Sequence, residues 1–141
     1  MQRGRRIAFD YGDVRIGVAI CDPDGILASP LTTLSSTDKR LNSQILEIFA
    51  EYEPVAIYVG KPSHMDGSSG TATEKAADFC ALLETLTQTR ILSIDERLST
   101  VSAARDMRES GVNAKAAKSR IDQAAAVAIL EFALAIERNS S

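Results

Sequence analysis

The sequence predicts a single α/β domain in which a mixed five-stranded sheet carries helices on both faces. Three observations predict it. Two short apolar runs joined by a tight turn open the chain. Apolar residues then switch to helical spacing and alternate with strand-like runs, and the chain closes on a helix in which 13 of the 16 residues 121–136 are apolar. At 141 residues the chain is long enough to bury one sizeable core, with the domain expected over 1–138 and a polar tail at 139–141.

Arg6 to Asp10 reads as a strand, and Gly12 supplies the permissive backbone of the turn after it. Arg15 to Ile20 pairs back as a hairpin. Asp22-Pro-Asp-Gly25 is a turn signal, and Ala28 to Leu34 adds a third strand whose Pro30 suits an edge position or a late start. From about Thr37, Leu41, Ile45, Ile48, Phe49 and Tyr52 fall on one helical stripe that Pro54 stops. Val55 to Val59 is apolar throughout, as in a strand buried on both faces. Gly60 to Gly70 is a loop, after which Thr71 and Glu74 form a capping-box pattern for a helix carrying Ala76, Phe79, Cys80, Leu83 and Leu86. Arg90 to Ile94 is the fifth strand and runs into Asp95-Glu96-Arg97. Ser99 or Thr100 can cap a short helix ended by Gly111, and Asn113 caps the last helix, expected to reach about Ile136.

Composition narrows the function classes. The longest near-continuous apolar stretch, near the C-terminus, is broken by Asp122, Gln123 and Glu131, and no apolar core follows Arg3, Arg5 and Arg6. Neither a membrane span nor a signal peptide is expected, and the cytoplasm is the expected location. Cys21 and Cys80 have no Cys-x-x-Cys spacing and read as small buried apolar side chains. His64 is the lone histidine, so no zinc site is expected. Net charge is −3, which argues against coating nucleic acid by bulk charge. The charge is uneven, however. Residues 97–120 hold Arg97, Arg105, Arg108, Lys115, Lys118 and Arg120 against Asp106 and Glu109, compatible with a local phosphate-binding surface or with a solvated helix face.

Three acidic loci stand out. Asp10 ends an apolar strand, where a carboxylate is costly unless it is solvated, paired or bound to a cation. Asp95 and Glu96 end another core strand; side chains alternate faces, so only one can point the way Asp10 does if the strand continues, and parity alone leaves both open. Asp122 shares a stripe with Ala125, Ala126 and Ile129 inside the apolar helix, and a nearby cation explains an acid there best. Carboxylates on separate elements without a histidine cluster point to Mg²⁺ or Mn²⁺. Two such ions about 3.5–4 Å apart can stabilise both the attacking and the leaving oxygen of a phosphodiester. Arg97 is the basic residue nearest in sequence to an acid. Gly60-Lys61-Pro62 lacks P-loop spacing, although a loop with Lys61, Ser68, Ser69 and Thr71 at a helix start can contact phosphate or be a plain connection.

Four segments extend across nearly the whole chain: Phe9-Asp-Tyr-Gly-Asp-Val-Arg-Ile-Gly-Val-Ala19, Val59-Gly-Lys-Pro-Ser-His-Met-Asp-Gly67, Asp95-Glu-Arg-Leu-Ser-Thr100 and Ile121-Asp-Gln-Ala-Ala-Ala-Val-Ala-Ile-Leu130. In this combination and order the chain resembles the YqgF (RuvX) family of Holliday-junction-resolvase-like proteins. The resemblance implies a ribonuclease-H-like fold and a cytoplasmic bacterial nuclease maturing the 5′ end of pre-16S rRNA in ribosome biogenesis, with resolution of branched DNA as the alternative. It implies catalytic Asp10, Asp95, Glu96 and Asp122, with Asp10, Glu96 and Asp122 as the expected ligands of Mg²⁺ or Mn²⁺, and leaves open which member of the 95–96 pair binds metal. Arg15, Lys61, Arg97, Lys115, Lys118 and Arg120 are the expected nucleic-acid contacts. Lys61 stands where many relatives carry an uncharged residue.

Two other readings compete. Asp10-x-Gly12 followed by a hairpin resembles the phosphate-binding turn of actin-like and sugar-kinase-like ATPases, but those need two lobes and this length supplies one. A non-catalytic module that binds RNA or ribosome-associated proteins through a degenerate site would share the same residues. Oligomeric state is not legible in the sequence.

Overall fold

In the computed structural model the described residues are 2–61, 71–96 and 115–140, with side chains described for 2–61, 74–96 and 121–139. The expected helix between Ser99 and Gly111 and most of the Gly60–Gly70 loop lie outside them, as do Arg97 and the side chains of Lys115, Lys118 and Arg120.

Five strands, β1 (Arg6–Tyr11), β2 (Arg15–Cys21), β3 (Ala28–Ser35), β4 (Ala56–Lys61) and β5 (Ile91–Asp95), form one sheet in the order β3-β2-β1-β4-β5. The first three make an antiparallel meander, and β4 and β5 run parallel to β1. Parallel neighbours need crossovers, supplied by α1 (Leu41–Tyr52) before β4 and α2 (Thr71–Leu86) before β5. Pro30 sits on β3 at the sheet edge, where a missing N–H costs no ladder bond inside the sheet, and the β2–β3 register shifts beside it between Val18 and Ala19.

Strand alternation divides the core in two. Ile7, Phe9, Ile16, Val18, Ile57 and Val59 face α1 and α2. There Phe9 packs edge-on to Phe49 of α1 and Phe79 of α2, with ring centroids 6.2 and 5.4 Å apart. Ala8, Ala19, Cys21, Ala56, Tyr58 and Ile94 face the long closing helix α3 (Lys115–Ser140). Ile129, Leu130 and Leu134 of α3 are fully buried there, each contributing about 1.5–3 kcal/mol. Helices on both faces are as expected. Cys21 is buried, whereas Cys80 is half-buried rather than fully so. Among the described residues no helix is long and apolar enough to cross a membrane.

Two boundaries differ from the sequence expectation. α1 starts at Leu41 rather than near Thr37, because Asp38 folds the preceding residues into a turn: its carboxylate accepts the Arg40 N–H at 2.8 Å and its carbonyl the Leu41 N–H at 3.1 Å. α3 continues through Ser140, four residues past Ile136. Polar anchoring of the turn past Ile136 accounts for the extra length. Arg6, fully buried on β1, donates to Glu137 through Nε at 3.2 Å and Nη2 at 3.0 Å. Tyr58 Oη donates to the same carboxylate at 2.7 Å, Arg90 lies 3.5 Å away, and Arg138 donates to the Gly25 carbonyl at 3.1 Å.

Burial raises the Glu137 pKa, but hydrogen bonds from Arg6 and Tyr58 and the charges of Arg6 and Arg90 outweigh it, so the carboxyl ends below its ordinary value. Burial and the Glu137 hydrogen bond push the Tyr58 hydroxyl well above its own. Because the Glu137 pKa is depressed on folding, its contribution is present above the unfolded value of about 4.3 and is lost as pH falls through the folded value. Glu137→Ala should therefore cost about 3 kcal/mol at pH 7, since it leaves the Arg6 charge buried. Urea melts of the variant should also show a flatter stability profile between pH 3 and 6; an unchanged profile would contradict this account.

α1 ends at Glu53, whose φ of 45° is left-handed and whose N–H bonds the Phe49 carbonyl at 2.9 Å. A side chain there costs about 1–2 kcal/mol. Glu53→Gly is expected to stabilise the fold by about 1 kcal/mol, read as a melting temperature higher by about 3 °C.

Candidate active site

Asp10 is buried on the α3 face of β1, one residue from the strand's carboxyl end. Its register partner on β2 is Gly17. A Cβ at Gly17 would stand 2.0 Å from the carbonyl oxygen of Asp122, so the absence of a side chain lets α3 lie directly on β2. That close approach brings the Asp122 segment of α3 beside the strand pair that carries Asp10. Asp122 itself is buried, and its Oδ2 accepts a 2.6 Å hydrogen bond from Nε of Arg15, which is 30% exposed at the start of β2. Gln123 adds a second tie, donating to Thr33 of β3 at 3.0 Å.

Glu96 follows the last residue of β5 and is buried. It continues the parity of Ile94, which faces α3. Its Oε1 lies 2.8 Å from where a Gly60 Cβ would stand, and Ile129 of α3 fills the other side of that space at 2.4 Å. Gly60 is one step beyond the Phe9–Val59 pair, next to Asp10 across the β1–β4 ladder. Asp10, Glu96 and Asp122 therefore gather on one face, at the carboxyl ends of the parallel strands where open α/β sheets hold their ligands.

Asp95 goes the other way. It pairs with Lys61 in the β4–β5 register and shares parity with Ile91, which packs against the α1 and α2 layer. Lys61 is exposed on that side. It lines a cavity of about 210 Å³ with Val59, Cys80, Glu84 and Ser93, away from the three buried acids. Of the predicted nucleic-acid contacts whose side chains are described, Arg15 and Lys61, Arg15 lies at the acidic face. Lys115, Lys118 and Arg120 begin α3, which leads into Asp122.

Three features escaped the sequence reading: the close approaches at Gly17 and Gly60, the pairing of Asp122 with Arg15, and the network around Glu137. The spacing Asp10-x₆-Gly17 across a tight hairpin could have signalled the first. The cation predicted near Asp122 is, at 2.6 Å, an arginine.

The donor set suits a hard divalent cation by its chemistry, since three buried carboxylates, from β1, the end of β5 and α3, lie on the same face of the sheet. As the side chains lie, no three acidic, cysteine or histidine groups among the described residues enclose a metal-sized site, and Asp122 is turned to Arg15.

A five-stranded mixed sheet in this order, with helices on both faces, is a ribonuclease-H-like fold. The chain belongs to the RuvX family, described as Holliday junction resolvase, whose model matches residues 4–136. A Streptomyces coelicolor relative named "Putative pre-16S rRNA nuclease" is 46% identical over 99% of this chain and 85% of its own length. A Rhodococcus erythropolis relative of the same name is 47% identical over 92% of this chain and 76% of its own. Among solved structures, Thermus thermophilus RuvC in complex with a Holliday junction substrate superposes with a TM-score of 0.57 over 96% of both chains at 15% identity, a likeness of fold.

Adding a methyl group at Gly17 forces α3 off β2. Gly17→Ala is expected to cost about 2 kcal/mol, near the middle of the range for overpacking a tight contact. A denaturation midpoint equal to wild type would show that the helix does not rest on this residue.

Proposed function

We propose that this chain is a divalent-cation-dependent nuclease that cleaves phosphodiester bonds in structured RNA, trimming the 5′ end of pre-16S rRNA during ribosome biogenesis. The observation that carries the reading is the gathering of buried Asp10, Glu96 and Asp122 on one face at the carboxyl ends of the parallel strands. The relatives' names supply the substrate class. A cytoplasmic location, and ribosome-associated proteins as further partners, follow from that substrate.

Asp10, Glu96 and Asp122 would hold Mg²⁺ or Mn²⁺. When bound, the cation supplies Lewis acidity, favouring ionisation of the attacking water and offsetting charge on the departing oxygen. The protein's own groups do the rest. Packing of Ile129 against Gly60 keeps the inner side of the acidic face dry, which strengthens each charge interaction there. Arg15, at the outer edge, is placed to meet a phosphate. Arg97, Lys115, Lys118 and Arg120 belong to the basic segment flanking the acids in sequence and would grip the polyanion; Lys61 would contact it from the opposite side of β4. Asp95, on the far face, stands opposite Lys61 in the β4–β5 register and would take a supporting part there. In the reaction, water adds to phosphorus as one P–O bond breaks, and the leaving oxygen takes up a proton.

A branched DNA substrate is the second reading, favoured by the family's description as Holliday junction resolvase. Both are tested by offering a 5′-extended 16S precursor and a four-way DNA junction with Mn²⁺, with Mg²⁺ and with EDTA. Cleavage of the precursor should require the cation and fall to background in Asp10→Asn. Turnover that survives EDTA or Asp10→Asn would overturn the mechanism. Preferential cleavage of the junction would reassign the substrate.

A further inference from the structure

Arg15 presents two sides. Its Nε is committed to Asp122 Oδ2 at 2.6 Å, a short charge-assisted hydrogen bond. Its Nη groups make no hydrogen bond among the described residues, and the side chain is 30% exposed. The β1–β2 register places Arg15 beyond the Asp10–Gly17 pair, outward toward the hairpin end, so the guanidinium stands between the buried acids and solvent.

A guanidinium and a divalent cation are rivals for one buried carboxylate. Both are positive, and at the separation that one shared carboxylate imposes they repel. If Asp122 joins Asp10 and Glu96 around a cation, the present Arg15 contact is opposed by that repulsion. A phosphodiester offers the displaced fork a replacement anion of matching bidentate geometry.

Resting on the metal-dependent reading above, we propose that Arg15 is a positioning residue that exchanges partners: it holds Asp122 until a divalent cation claims that carboxylate, then turns its guanidinium outward to a phosphate of the nucleic acid. Cation loading and substrate capture are thereby linked through one side chain. The fold favours such an exchange. The Asp122 backbone rests on Gly17, a contact that remains when Arg15 lets go.

Calorimetric titration of Mn²⁺ into wild type and Arg15→Gln, without nucleic acid, tests the first half. The variant should bind Mn²⁺ at least about tenfold more tightly, because a rival worth about 1.4 kcal/mol or more is gone. Arg15→Lys, which keeps a cation, should bind Mn²⁺ more weakly than Arg15→Gln. Equal or weaker Mn²⁺ binding by Arg15→Gln overturns the exchange. Absence of Mn²⁺ binding to wild type and both variants instead removes the metal-dependent reading itself, a distinguishable result.

A readout on the unaltered protein keeps the proposal falsifiable should Arg15→Gln not fold. The Arg15 Nε–H resonance should shift and exchange faster with solvent as Mg²⁺ is added to saturation. An unperturbed resonance overturns it. For the second half, the salt dependence of four-way-junction binding is measured in Ca²⁺ and in EDTA. Wild type should show a log–log slope steeper than that of Arg15→Gln by about 0.9 in Ca²⁺ and by nothing in EDTA. The same difference in both buffers would mean that Arg15 contacts phosphate without exchanging partners.

Discussion

The structure depends on how closely α3 lies against the sheet. At Gly17 the contact is backbone to backbone, with the Asp122 carbonyl where a side chain would otherwise stand. The alanines that follow, Ala125, Ala126 and Ala133, are buried and keep the helix low over β1, β2 and β4. A helix riding higher would leave Asp122 remote from Asp10. The same proximity buries Asp10 and Asp122, and burial strengthens the charge interactions they make.

Such a contact has to be held at both ends. Near Asp122 the ties are to Arg15 and Gln123's partner Thr33; some four helical turns on, Glu137 collects Arg6, Tyr58 and Arg90 from three strand-associated positions. The two ends differ in character. The Glu137 network is enclosed and serves anchoring, since Arg6 is wholly buried. The Arg15–Asp122 pair is open to solvent on its arginine side, with the arginine side chain 30% exposed, and is the contact proposed to change partners. One helix thus carries a fixed end and an adjustable end, and the adjustable end belongs to the candidate site.

Much of this arrangement is visible in the residues before folding. Asp10 stands out as a carboxylate closing an apolar strand, Asp122 as an acid within a run of alanines, and Pro30 as a marker of the sheet edge. Helix ends are less legible. Glu53 adopts a left-handed conformation that its own side chain disfavours, and the turn past Ile136 exists because Glu137 finds a buried arginine. Neither cause is local, and no periodicity could reveal it.

Local pattern determined the five strands, their alternation of faces, the apolar character of α3 and the acidic residues worth attention. These follow from side-chain chemistry and the two- and 3.6-residue repeats, which act over a few neighbours. Tertiary structure alone decided that Glu96 and not Asp95 turns to α3, that α3 closely approaches Gly17 and Gly60, and that Asp122 meets Arg15 across 107 residues of chain. Each of these choices depends on which helix covers which face, and that is settled only when the whole core closes.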